Sequence, residues 1–290
     1  MIQSILDAIS LGGVYALAAL GLGLVFGVMR LVNFAHAELI TIAAYVFVQT
    51  HQFPLIVSIA LAAIVSAALA LLMELLAYRR LRGASPATML IVSFGVSILL
   101  ETVYELVFGA LPKSAAIAPW MTGAFTLGGV SITTASVVTI SLTIAILLAM
   151  GYLVERTTLG LQLRAAASDF QTARLLGVRS NRLIASAFAL SGVLAAVVGF
   201  VTVVDNPQVD PRFGLDITIL ALVGVVIGGM HSLRGSALGG FIVGSALSLL
   251  NSILGNARVY AYSWMFVLVL IILLVRPGGL LSKNAPRERV

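Results

Sequence analysis

The block NFAHAE places an amide (Asn33), an imidazole (His36) and a carboxyl (Glu38) within six residues, at the start of a long apolar run. Such groups bond a polar solute or one another, and leaving them without partners in hydrocarbon is costly. Two settings suit them: the interfacial end of a helix, with Asn33 as N-cap and Glu38 in the first turn, or the wall of a cavity. Metal binding by His36 and Glu38 is not expected, because residues two apart on a helix face apart. Further on, SFGVS sets Ser93 and Ser97 about Gly95, hydroxyls that can bond between helices or to a solute. In the same run Glu101 and Glu105 stand four apart, a like-charge pair unfavourable deep in lipid. It reads either as a polar vestibule for entering cargo or as two carboxylates reaching water at headgroup level.

Bond-making chemistry finds no support. There is no DxxxD pair, no HExxH, no phosphate-binding loop, and no serine with a plausible histidine and acid. His36, His51 and His231 are scattered, and cysteine is absent, so neither a metal centre nor a thiol nucleophile is expected. No cofactor is implied.

The elements that must position these groups are membrane helices. The 290 residues are 60% hydrophobic and 10% charged, with a mean hydropathy of +1.12, far from soluble composition. We expect an all-α polytopic membrane protein in which 1–290 form one transmembrane domain, with no room for an attached ATPase, receptor or catalytic domain. Eight or nine apolar segments are long enough to span or partly span a bilayer: 4–28, 35–50, 54–76, 87–108, 131–154, 183–204, 215–230, 236–254 and 260–275. The second and seventh are short, as re-entrant or broken helices are. The first lacks a basic leader and a cleavage site, so it reads as a retained span.

If all nine segments cross, fourteen of the seventeen basic residues share one side, leaving only Lys113, Arg212 and Arg258 opposite. That bias places the segment 155–182 and the C-terminus in the cytosol and the N-terminus outside. The pI near 10.1 therefore reports topology, and nucleic acid is not an expected partner. Of the outer loops, 109–130 reads as a short hairpin turning at Gly128-Gly129 with an interfacial Trp120. The loop DNPQVDPRFGLD either contacts a receptor or is a solvated connector capped by Asp216.

The segment 155–182 is a polar stretch with five arginines between oily runs. We expect a short amphipathic helix in it, bracketed by Gly160 and Gly177, opened by Ser168 as N-cap with Asp169 in the first turn. A membrane protein that keeps such a helix in water uses it to receive force. Elsewhere glycine clusters in the first, seventh and eighth segments. This spacing packs helices closely, and Gly228 and Gly229, just before His231 and ahead of Gly235, could also interrupt a helix beside a transport path. Ionisable residues near mid-span are scarce, which argues for energy supplied from outside the chain.

Taken together, the stretches LGGVYALAALGLGLVFGVMRLVNFAHAE, SFGVSILLETVYELVFG, LGLQLRAAASDFQTARLLGV and LVGVVIGGMHSLRGSALGGFIVG resemble the integral permease of branched-chain amino acid ABC importers, nearly end to end. The resemblance implies a bacterial or archaeal inner-membrane subunit that works with a second permease, two ATP-binding subunits and a periplasmic or surface-tethered substrate-binding protein. It also implies a coupling helix that docks on the ATPase, mapping here to Arg164, Ala165, Ala166, Ser168, Asp169, Ala173, Leu176 and Gly177. Asn33, His36, Glu38, Ser93, Gly95 and Ser97 are the expected path-lining positions. Two departures bear on cargo: Ala37 stands where the family usually has glycine in its NFAHGE motif, and His231 replaces a glycine of GG-x-GS. Branched-chain or related amino acids are the expected substrates, with urea or short amides the alternative within the family, and a stand-alone small-solute channel outside it.

Overall fold

Apolar residues run so continuously through this chain that periodicity selects no face, and helix ends are set instead by hydroxyl caps, prolines and glycines. The computed structural model describes residues 2–30, 32–127, 130–230, 232–276 and 278–279; His231 and the C-terminal basic residues Lys283, Arg287 and Arg289 lie outside them. Helix α1 (Ile2–Met29) runs toward the arginine-rich end of the molecule. It is followed by α2 (His36–Gln49) and by α3 (Leu55–Met73), which continues through a wide turn at Glu74–Tyr78 and a tight one at Arg79–Leu81. Helix α4 (Pro86–Phe108) opens on Ser85, whose Oγ accepts from Thr88 N, with Pro86 in the first turn where its missing N–H costs nothing. Helix α5 (Thr134–Arg156) is capped alike by Thr133. Then come α6 (Thr158–Ser168), α7 (Phe170–Leu175), α8 (Ser180–Asp205), α9 (Leu215–Gly228), α10 (Leu233–Leu254) and α11 (Ala261–Val275).

Six described runs are long and apolar enough to cross a membrane. The last, Leu233–Val275, holds 43 residues, roughly 65 Å as one helix and about twice the hydrocarbon thickness. The tight turn at Gly255–Tyr260 divides it into α10 and α11. With the short apolar helices α2 and α9, the nine segments read from the sequence are all present.

Helix α1 is the hub: 89% of its most apolar window is buried by protein, against 11% for α5 on the periphery. Around it the chain repeats itself upside down. Helices α1, α2 and α3 run toward, away from and toward the arginine-rich end, whereas α8, α9 and α10 run away, toward and away. The contacts obey the same exchange: α1 packs on α10 as α8 packs on α3, α2 on α8 as α9 on α1, and α2 on α3 as α9 on α10. Where α1 and α8 cross, Gly21 lies against Leu194. Inverted pairs of this kind are a recurrent plan for transporters.

Glycine seats these contacts. A Cβ on Gly240 would stand 2.3 Å from Tyr15 O, and one on Gly239 2.0 Å from Gly224 O, so α1, α9 and α10 touch at the backbone. Gly228 ends α9 and also stacks on Gly235, whose carbonyl a Cβ would meet at 1.8 Å; Gly229 then breaks the chain direction at φ +102. Helix interruption and close packing thus occur at the same residues.

At the end opposite the arginine-rich face, two short antiparallel strand pairs lie in the loops. Strands β2 (Ala124–Leu127) and β3 (Val130–Thr133) pair antiparallel at the end of the 109–130 region where a hairpin is expected, its Gly128-Gly129 turn lying outside the described residues, and Trp120 is exposed. Strand β1 (Lys113–Ser114) pairs antiparallel with β4 (Gln208–Val209), tying the acidic loop to the 109–130 loop. The reading of Asp216 as cap does not hold: Gly214 occupies the N-cap of α9 with no side-chain bond, and Asp210 instead closes a local turn onto Arg212 N at 2.8 Å.

Substituting Gly240→Val should lower the midpoint of thermal unfolding in detergent and reduce monodisperse yield, at a cost of about 3 kcal/mol or more from overpacking. Gly95→Ala, which enters open space, should leave both unchanged; equal behaviour of the two variants would contradict the packing described.

Candidate functional site: a buried polar seam and an arginine-rich face

Helices α2 and α9 start inside the protein. His36, the first residue of α2, packs on Gly21 of α1, its Cε1 2.9 Å from where a Cβ would be. Gly21 lies nine residues, about 13 Å of helix, below Arg30. Gly214, at the start of α9, packs in turn on Ala37 and Thr41 of α2. Two helix beginnings therefore adjoin in the interior, each reached by irregular chain that a bilayer tolerates only where protein satisfies its backbone.

Side-chain hydroxyls do the satisfying. Thr41 Oγ1 accepts from Gly214 N at 3.0 Å and donates to Ala37 O at 3.1 Å. Ser66 Oγ donates to Leu39 O at 3.0 Å and Tyr104 Oη to Glu38 O at 3.0 Å. Ser93 Oγ lies 2.8 Å from Leu90 O and 3.2 Å from Val32 O, in reach of the re-entering loop.

Five expected path residues meet in this seam, nearly or fully buried. Ser97 Oγ donates to Glu38 Oε1 at 2.8 Å; Ser191 Oγ is 3.1 Å from His36 Nδ1; Tyr78 Oη donates to Asn33 Oδ1 at 2.7 Å. Each polar side chain of the NFAHAE block is only half satisfied: Asn33 Nδ2, His36 Nε2 and Glu38 Oε2 are buried without partners among the described residues. Asn33 is not the N-cap of α2; that position falls to Ala35, with no side-chain bond, and the Asn33 side-chain oxygen accepts from Tyr78 instead. The interfacial-cap setting is thereby excluded for this block. Gly95 stands apart, on the outward face of α4 with nothing within 4 Å of a would-be Cβ. Glu101 pairs with Arg212 of the acidic loop, and this holds the guanidinium above its usual pKa through the hydrogen bond to the carboxylate.

Tyr78, Ser191, Tyr104, Thr41 and Ser66 are the members that sequence reasoning missed. So is Glu74, buried in the wide turn at the end of α3 and paired with Arg82, which also donates to Asn181. A tyrosine and a glutamate interrupting an otherwise aliphatic span were the available signal.

The arginine-rich face is built from two helices where one was expected. Ser168 closes α6, and Asp169 is the N-cap of α7, its Oδ1 accepting from Gln171 N at 2.9 Å and Thr172 N at 3.1 Å. The Thr172 hydroxyl on its other oxygen holds the Asp169 carboxyl below the usual range. The cap is thus intact at neutral pH and lost only as pH falls through that depressed value. Gly160 does not bracket the helix but sits inside α6, pressed on Leu153 O, which a Cβ would meet at 2.2 Å. Gly177 does end α7, at φ +93, with Val178 N bonding Ala173 O and Gly177 N bonding Arg174 O.

Of the residues assigned to coupling, Arg164, Ala165, Ser168, Asp169, Leu176 and Gly177 are exposed, whereas Ala166 and Ala173 are 2% and 3% accessible and pack inward. The small-residue side of α7 therefore anchors it to the body. Outward, beside the exposed Gln171, Thr172 and Arg174, stand two large apolar side chains, Leu175 and Leu176, 88% and 81% exposed. Arg30, just past α1, adopts φ +52 and reaches Ser168 O at 3.4 Å, so the loop entering the seam is tied to the α6–α7 junction.

The family model for the branched-chain amino acid transport system permease component matches residues 4–275. The chain is 30% identical over 298 residues to the high-affinity branched-chain amino acid transport permease BraD of Pseudomonas aeruginosa, covering 97% of this chain and 96% of that one. It is 30% identical to LivH of Escherichia coli, a permease of the same description, with the same coverage. A partial match, 34% identical over 51% of this chain and 44% of the other, is to the autoinducer 2 import permease LsrC of Klebsiella pneumoniae.

Tyr78→Phe should cost about 1–3 kcal/mol, since it leaves Asn33 with no partner at all, read as a lower denaturation midpoint. Adding Asn33→Leu should recover part of the loss. Additive losses would show that the pair does not interact.

Proposed function

Because the chain belongs to the branched-chain amino acid transport permease family, whose members are transport subunits and not enzymes, we propose that it carries branched-chain or related amino acids across the cytoplasmic membrane of a bacterium or archaeon. It would do so as one of two permeases, energised by two separate ATP-binding subunits and supplied by a substrate-binding protein outside the cell. The end-to-end likeness to two permeases of that description carries the reading.

The arginine-rich face is cytosolic in this reading, as the distribution of basic residues requires. The water-exposed leucines of α7 are the seat for the ATPase: two large apolar side chains at the tip of a capped helix lose surface to water only when a partner covers them. Arg164, Ala165, Ser168, Asp169 and Gly177 frame that tip, while Ala166 and Ala173 transmit its displacement into the body. Arg30 links the tip to the loop leading to Asn33, His36 and Glu38. The seam of those residues with Ser93 and Ser97 borders the gate, and Gly95 is a notch in the bulky outer face of α4, suited to close approach by the second permease.

In proteoliposomes holding the complete transporter, Leu175→Asp with Leu176→Asp should cut ATP-dependent uptake about tenfold or more while insertion and thermal stability stay unchanged, as expected of an exposed hot spot. Unimpaired uptake would remove α7 as the docking site. Arg30→Ala should lower uptake several-fold while ATP hydrolysis persists, and Arg30→Lys should restore part of it; a parallel fall in hydrolysis and uptake would deny Arg30 a linking role. The permease alone should pass no solute, and robust passive flux of urea would favour a channel.

A further inference from the structure

A cleft of about 1090 Å³ opens at the arginine-rich face, between the end of α1, the turn joining α3 to α4, and the α7–α8 junction. Five arginines line it and one aspartate. Three of the six charges have local uses. Asp169 caps α7, Arg30 reaches Ser168 O, and Arg82 pairs with Glu74 and Asn181. Arg174, Arg179 and Arg182 are exposed, and no hydrogen bond or ion pair to the described residues satisfies them. Three like charges gathered on one concave wall repel one another unless an anion sits among them.

The rest of the lining is apolar: Met29, Met89, Phe170 and Ile184 contribute to the wall, next to cations. Pro86 and Met89 bring the start of α4 into the lining, and Leu90 and Ile91, next along that helix, are exposed on its apolar surface. A ligand matching this surface is an amphipathic anion whose charged group lies at membrane-surface level and whose tail lies along the helices. We propose that the cleft binds the phosphodiester headgroup of an anionic phospholipid, held by Arg174, Arg179 and Arg182. The phosphate oxygens accept from the three guanidiniums, and the glycerol and upper acyl chain lie against Met89 and Ile184. The cleft shares α7 with the leucine tip, through Asp169 and Arg174, but neither Leu175 nor Leu176 lines it, and its remaining walls come from α1, α4 and α8.

The test is retention of lipid by the purified full chain in mild detergent, followed by native mass spectrometry with phosphatidylglycerol or phosphatidylcholine. Phosphatidylglycerol should be held preferentially. Replacing all three arginines by glutamine should reduce that preference on the order of a hundredfold, about fivefold per charge. Lysine at all three should keep most of it, and Lys113→Gln with Arg258→Gln, at the other end, should change nothing. The unfolding midpoint of each variant, measured without added lipid, separates lost binding from lost fold. Inorganic phosphate should not displace the lipid at equal concentration; displacement would assign the cleft to a soluble phosphate. No preference for phosphatidylglycerol, or equal retention by the glutamine variant, overturns the proposal. So does a finding that the glutamine variant keeps its lipid yet no longer binds the ATP-binding subunits, which would make the cleft a protein interface.

Discussion

Two helices that begin in the interior oblige the protein to satisfy backbone where neither water nor an unbroken helix can. Each open N–H or C=O in that setting would cost on the order of 1–3 kcal/mol, and the chain closes them with hydroxyls from neighbouring helices. Thr41 serves both helix beginnings, and Ser66, Ser93 and Tyr104 hold the backbone of the first. The closures draw on both inverted units and on α4: Thr41 of α2 reaches the start of α9, Ser66 of α3 and Ser93 and Tyr104 of α4 hold the backbone around α2, and Ser191 of α8 meets His36.

The seam beside these closures is polar beyond what backbone repair demands. Asn33, His36 and Glu38 each make one bond and keep one buried atom without a partner among the described residues. A half-satisfied buried network holds its arrangement less firmly than an apolar core of equal size. It lies along the loop that Arg30 fastens to the α6–α7 junction. This half-satisfied part of the interior is thus connected to the arginine-rich face by one side chain and a few residues of irregular backbone.

Much of this was legible in the residues. Hydrophobic length alone located nine apolar segments and singled out the two that prove shortest, because a spanning helix needs a length that few other constraints mimic. Ser168 and Asp169 are both good capping residues in adjacent positions, and choosing between them depends on where the preceding helix stops, which six residues of α7 are too few to show. The same brevity hides which side of α7 faces outward: Ala173 packs inward, whereas Leu175 and Leu176 are exposed. The partners of Asn33, His36 and Glu38 lie 45, 155 and 59 residues away. Nothing local records such pairings; a polar residue in an oily run announces that it needs a partner without saying which one.

Between α9 and α10 the contact is backbone on backbone, at Gly224 against Gly239 and Gly240 and at Gly228 against Gly235. Without side chains to act as compliant spacers, axial slippage of either helix would drive carbonyls into neighbouring Cα atoms within a fraction of an ångström. The two helices, keyed also into α1 through Gly240 and Gly244, form a keel that can tilt only as a unit. Shape change in this protein must be borne by the loosely seated elements around the keel, α4 and α5 foremost.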